Sequence, residues 1–249
     1  MPRLSYLFGD RNPRTDNSIT ALSLPSGGLA GETDPMTTAL NRHNVTGAIL
    51  AGGRSTRFGE KKASFFFKGV SLIEHVYRAL DPLVDELLIS TSANPDGVLE
   101  IPGRTIVDDY ENAGPLAGVA ACLRAASHDW LLVVACDLPL ITTQTLGRLV
   151  SAARFPRQVV ILRSASGRTQ PLCACYHGSV LELLVKALDG ERFGVQRFVE
   201  SLEHTGVVEA PDTELLNVNR PEDIYPLLCN EGRDHEPDVA PGSGGAVTE

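Results

Sequence analysis

Six consecutive apolar residues, Trp130–Ala135 (WLLVVA), constrain this chain more than any other feature. A run so short and uninterrupted fits a central strand covered on both faces, because a half-exposed strand alternates apolar and polar side chains. Such a strand needs a helical layer above and below it. Strand patterns at Val45–Ala51, Glu86–Thr91, Arg104–Val107 and Gln158–Leu162 alternate with helical patterns at Ser71–Leu80, Leu116–Ala126 and Thr142–Ala153. In Ser71–Leu80, residues Leu72, Ile73, Val76, Tyr77 and Leu80 share one helical face. Alternation at this spacing implies βαβ units and a mainly parallel sheet. Pro171–Tyr176 reads as a strand returning antiparallel. Helices are expected near Val180–Leu188 and Val195–Leu202, strands near Thr205–Glu209 and Leu215–Val218, and a closing helix from Pro221. The expectation is a single three-layer α/β/α domain over residues 45–229.

Outside that region the pattern fades. Residues 1–44 have no sustained periodicity and many turn formers, and 230–249 are rich in Gly, Pro and acids, so both ends are expected to be disordered. The N-terminal stretch lacks the continuous apolar centre of a secretory signal, and no apolar run approaches the roughly 20 residues that span a bilayer. The five cysteines form no C-x-x-C pair. A soluble, cytoplasmic protein is expected. The net charge is −9, of which the tail Glu231–Glu249 contributes five acids against one Arg. The acidic remainder argues against nucleic acid as a partner but leaves room for a local basic pocket.

That pocket is expected at Leu50–Ala63 (LAGGRSTRFGEKKA). The segment leaves a buried strand and carries Gly52, Gly53 and Gly59, so its backbone can approach a ligand and turn N–H groups toward phosphate oxygens. Arg54, Arg57, Lys61 and Lys62 place four cations within nine residues, suiting a nucleoside triphosphate with its roughly four negative charges. It is neither a P-loop, since Gly53 and Gly59 are six apart and Lys62 precedes Ala63, nor a G-x-G-x-x-G fingerprint. Taken alone, the loop could also be a solvated turn with incidental charges.

Asp137, in Cys136-Asp137-Leu138-Pro139, follows the central strand directly. An acid there sits where open α/β sheets bind ligands and could hold Mg²⁺ beside phosphates and water. Its alternative role is the N-cap of the next helix. Asp108 and Asp109 close another strand ahead of Gly114 and Gly118; a carboxylate there could accept from ribose hydroxyls or a guanine edge, or merely serve the turn. Cys173, Cys175 and Cys136 read as core thiols, and His75 as structural.

With LAGGRSTRFGEKKA, NAGPLAG, VACDLP, QPLCACY (Gln170–Tyr176) and LLNVNRPEDI (Leu215–Ile224) in order, the chain resembles the molybdenum cofactor guanylyltransferases, the MobA family of the sugar-nucleotidyltransferase-like superfamily. The resemblance implies a nucleotide-diphospho-sugar transferase-like fold and transfer of GMP from GTP to the phosphate of molybdopterin, with Mg²⁺ as cofactor. It further implies backbone contacts to the nucleotide from Leu50, Ala51, Gly52 and Gly53, phosphate binding by Lys62 assisted by Arg57, GTP contacts from Asn94 and Asp109, and Mg²⁺ on Asp137. Asn217 and Asn219 fall on the pterin side. Partners so implied are GTP, molybdopterin, and other cofactor-biosynthesis proteins or molybdoenzyme chaperones. One departure stands out: Phe58-Gly59-Glu60-Lys61-Lys62 replaces the family's usual Met-Gly-x-Asp-Lys, so Lys61 reverses a charge beside Lys62. Two other readings remain open: a related transferase using CTP or another phosphorylated acceptor, and a non-catalytic nucleotide-binding module.

Overall fold

The computed structural model describes residues 44–52, 65–91, 101–108, 110, 113–192 and 194–224. The termini, Gly53, Arg57, Lys62, Asn94 and Asp109 lie outside the described residues, as does any helix continuing past Ile224. Seven strands form one sheet: β1 (Thr46–Leu50), β4 (Glu86–Thr91), β5 (Arg104–Val107), β6 (Trp130–Ala135), β7 (Val159–Ser164), β8 (Thr169–His177) and β9 (Thr205–Ala210). Their order is β5-β4-β1-β6-β8-β7-β9. Only β8 is inverted, pairing antiparallel with β6 and β7, while β1–β4, β1–β6, β4–β5 and β7–β9 are parallel. A small hairpin, β2 (Phe66–Phe67) and β3 (Val70–Ser71), stands apart from the sheet.

Alternate residues of the central strands feed two separate cores, which makes the molecule three-layered. Ile49, Leu132, Val134, Cys173 and Cys175 face α1 (Leu72–Leu80) and α3 (Thr143–Ala152). Ala48, Leu131, Val133, Ala174 and Tyr176 face α2 (Pro115–Ala125), α4 (Leu181–Asp189) and α5 (Val195–Glu200). Every residue of Leu131–Val134 is fully buried, as the unbroken apolar run requires. Helix α1 starts where Ser71 accepts a hydrogen bond from the Glu74 amide. Ser71 and Glu74 have the residue types and spacing of a capping box.

One expectation is corrected. Leu215–Val218 is not a strand: a 3-10 turn (Asp212–Leu215) leads into irregular backbone, and Leu215 and Val218, three apart, are the fully buried pair. The segment from Pro221 begins as a 3-10 turn, Pro221–Ile224.

Proline in the inverted strand is accommodated by irregular pairing. Pairing between β7 and β8 shifts at Ile161/Leu162, a bulge, and Pro171, which has no N–H to contribute to a ladder, lies within the displaced stretch. The Tyr176 hydroxyl donates to the Pro171 carbonyl at 2.6 Å.

Candidate active site

The chain lays β4 and β5 on one side of β1 and then returns to place β6 on the other. Strand order thus reverses at β1, and ligands of open α/β sheets bind beyond the carboxyl ends of the strands at such a point. Leu50, the last residue of β1, lies opposite Ala135, the last of β6. The pairing continues past both strands: the Cys136 amide donates to the Leu50 carbonyl at 3.3 Å, and the Ala51 amide to the Ser90 carbonyl at 2.9 Å. The glycine-rich segment and the Asp137 turn therefore leave adjacent strands at the same sheet edge. Ala51 is half-buried and Gly52 exposed.

Asp137 is half-buried, with its Oδ1 atom fully shielded from solvent. It does not cap the following helix. Thr142 does, accepting from the Thr145 amide at 3.2 Å. Among the described residues no group of three or more His, Cys, Asp or Glu could hold a metal ion. A hard carboxylate oxygen at the carboxyl end of the sheet has the chemistry to hold Mg²⁺, a cation that takes most of its ligands from substrate phosphates and water.

Helix α2 approaches the same edge. Gly114 precedes it at φ +69°, a conformation that favours glycine, and Pro115 opens the helix without a side-chain cap or an acid in the first turn. That leaves a helix N-terminus suited to negative charge. Gly118 brings the helix close over β1 and β4: a Cβ there would stand 2.5 Å from Ser90 Oγ and 3.3 Å from Leu50 Cδ2. The role of Gly118 is therefore one of close packing.

The far wall is the segment after the Asp212–Leu215 turn. Val218 donates to the Asp137 carbonyl at 2.9 Å, and Thr142 donates to Glu214 through both its amide, at 3.2 Å, and its hydroxyl, at 2.9 Å. Phe67, Leu72 and Val218, with Phe65, Leu140 and Leu216 against them, form a third small core joining the hairpin to this wall. The Asp223 carboxylate accepts from the Asn219 and Arg220 amides at 2.7 and 2.8 Å and so helps order the turn. Sequence reasoning missed the part played by Gln170, whose amide reaches the Leu215 carbonyl and Asn217. The neighbouring Pro171, in a strand pattern, was the one signal of irregular backbone there.

Residues set aside as structural are so placed. Cys136, Cys173 and Cys175 are buried in one core, and burial pushes the Cys173 and Cys175 thiols well above their ordinary pKa, away from the thiolate a metal needs. His75 donates from Nε2 to the Phe67 carbonyl at 2.9 Å and packs against the Phe67 ring.

A seven-stranded sheet with one inverted strand, and its site at the order reversal, defines an α/β fold of the nucleotide-diphospho-sugar transferase type. Molybdopterin-guanine dinucleotide biosynthesis protein A of Archaeoglobus fulgidus shares it, with a TM-score of 0.61 at 22% identity over 75% of this chain and 99% of that one. The MobA-like NTP transferase domain model matches residues 47–206. The molybdenum cofactor guanylyltransferase of Pseudomonas syringae pv. syringae is 37% identical over 70% of this chain and 88% of its own. That of Pseudomonas aeruginosa PAO1 is 34% identical over 73% and 91%. The chain belongs to the MobA-like NTP transferase family. Among the described residues, no helix is long and apolar enough to cross a membrane.

Proposed function

We propose that this protein transfers GMP from GTP to the terminal phosphate of molybdopterin, forming molybdopterin guanine dinucleotide and releasing pyrophosphate. The observation that carries the reading is the hydrogen-bonded junction of Leu50 and Cys136, from which the start of the glycine-rich segment and the Asp137 turn leave side by side. Relatives named as molybdenum cofactor guanylyltransferases, which this chain matches over most of their length, support the choice of nucleotide and acceptor.

In this reading Leu50, Ala51, Gly52 and Gly53 hold the nucleotide through backbone groups, and Asn94 and Asp109 contact GTP. Lys62 and Arg57 neutralise the phosphates. Asp137 is the residue that would hold Mg²⁺, which when bound supplies positive charge against the α-phosphate and the departing pyrophosphate. Asn217 and Asn219 line the acceptor side. The attacking oxygen belongs to a phosphate monoester whose second pKa is about 6, so it is largely dianionic at neutral pH and needs no strong protein base. A bond forms from that oxygen to the α-phosphorus as the bond to the bridging oxygen of pyrophosphate breaks. The protein's task is in-line positioning and neutralisation of charge.

The test is pyrophosphate release from GTP, CTP and UTP, each with molybdopterin and Mg²⁺. Preferential release from GTP supports the reading. Preference for CTP reassigns the nucleotide, and a GTP-induced rise in melting temperature without any pyrophosphate makes this a binding module.

A further inference from the structure

Gln170 lies in β8, where pairing with β7 is shifted by the bulge. Its Nε2 donates to the Leu215 carbonyl at 3.1 Å and to Asn217 Oδ1 at 2.8 Å. A backbone carbonyl can only accept, so the Leu215 contact settles which end of the Gln170 amide is nitrogen. The Asn217 atom facing it must then be oxygen. Both N–H groups of Asn217 Nδ2 are turned away from Gln170 and make no hydrogen bond among the described residues. Asn217 is half-buried, and its neighbour Val218 is bonded to the Asp137 backbone. The Asn217 amide therefore lies in the segment bonded to the Asp137 turn, with its two donors directed away from Gln170.

We propose that Gln170 is a positioning residue for the acceptor substrate: by holding Asn217 Oδ1, it presents the Nδ2 donors to the acceptor's anionic phosphate. The proposal rests on the transfer reaction above and extends it by naming the group that sets the polarity of the acceptor wall. Polarity matters because the flipped Asn217 amide offers a carbonyl oxygen to a dianion and repels it. An unrestrained amide samples both orientations. Arg168, whose Nη2 lies 2.6 Å from the same Leu215 carbonyl, helps keep the segment in place when Gln170 is changed.

The experiment compares the full-length wild type with Gln170→Glu and Gln170→Met, varying GTP and molybdopterin separately in steady-state kinetics and recording thermal melting. The carboxylate of Gln170→Glu can only accept, so Asn217 turns its nitrogen inward and shows the acceptor an oxygen. The expected result is a rise in molybdopterin KM of roughly tenfold or more, with the GTP KM within about twofold of wild type. Gln170→Met, which frees the amide without reversing it, raises the molybdopterin KM by less. An unchanged molybdopterin KM in Gln170→Glu, or equal rises in both KM values, overturns the proposal while leaving the transfer reaction standing. A wild type that transfers no nucleotide overturns both.

Discussion

Replacing Gly118 with alanine sets two forces of opposite sign against each other. Intrinsic helix propensity favours alanine over glycine in a helix interior by about 1 kcal/mol. At Gly118, however, the added Cβ would stand 2.5 Å from Ser90 Oγ, 3.3 Å from Leu50 Cδ2 and 3.4 Å from Ser90 Cβ. Ser90 is 2% exposed and Leu50 6%, so neither has an outlet to solvent. Overpacking of this kind costs about 1–3 kcal/mol. Against the propensity gain, the net expectation is a loss of roughly 1 kcal/mol. Urea unfolding reads it as a lower midpoint at unchanged slope. Adding Ser90→Ala removes the nearest atom and should recover about 1 kcal/mol as a coupling energy between the two positions. Because a displaced α2 also moves its N-terminus from the sheet edge, the GTP-induced rise in melting temperature should shrink in the single variant. A Gly118→Ala protein stabilised by the full propensity term would refute the close approach.

Other consequences concern the frame that holds the site. Burial pushes the Glu86 carboxyl upward, but hydrogen bonds from Arg104, the Ser127 amide and Thr46 outweigh it and hold the group at about 2 instead of 4.5. Stability from this group is complete above pH 4.5 and lost as pH falls toward 2. The shift corresponds to roughly 3 kcal/mol at full strength, reduced to about 1–2 kcal/mol by solvent around the half-exposed Arg104. Glu86→Gln should lower stability by that amount at pH 7 and flatten the decline between pH 4.5 and 2 in urea titrations. Tyr176→Phe strips the Pro171 carbonyl of its hydroxyl donor at a fully buried position and should cost about 1–2 kcal/mol by the same assay. A loss within error would mean that the bulge does not depend on that bond.

Much of the sheet was legible because its signals are local. Glu86–Thr91, Arg104–Val107 and Trp130–Ala135 appear with the bounds their apolar patterns imply. Leu215–Val218 misled because Leu216-Asn217-Val218 alternates like a strand, whereas the buried residues lie three apart, Leu215 in the sheet core and Val218 against the hairpin. The hairpin itself escaped notice. Three consecutive phenylalanines hide its alternation, though Lys68 and Gly69, at φ +50° and +75°, carry the twist of a tight two-residue turn. At the site, the sequence places Leu50 and Asp137 at strand ends, but not on adjacent strands. That requires the strand order, which depends on how the whole set of helices packs. The Gln170–Asn217 contact is less legible still, since it joins residues far apart in the chain through amide groups with no distinctive pattern.

The central claim is that the nucleotide's phosphates lie at the junction of the β1 loop and the Asp137 turn. Its most direct measurement is GTP-dependent pyrophosphate release with molybdopterin and Mg²⁺, run side by side for the wild type and Asp137→Ala, with melting curves for both. The account predicts that transfer falls by about a hundredfold or more while cooperative melting persists. Near-normal turnover by Asp137→Ala would contradict it.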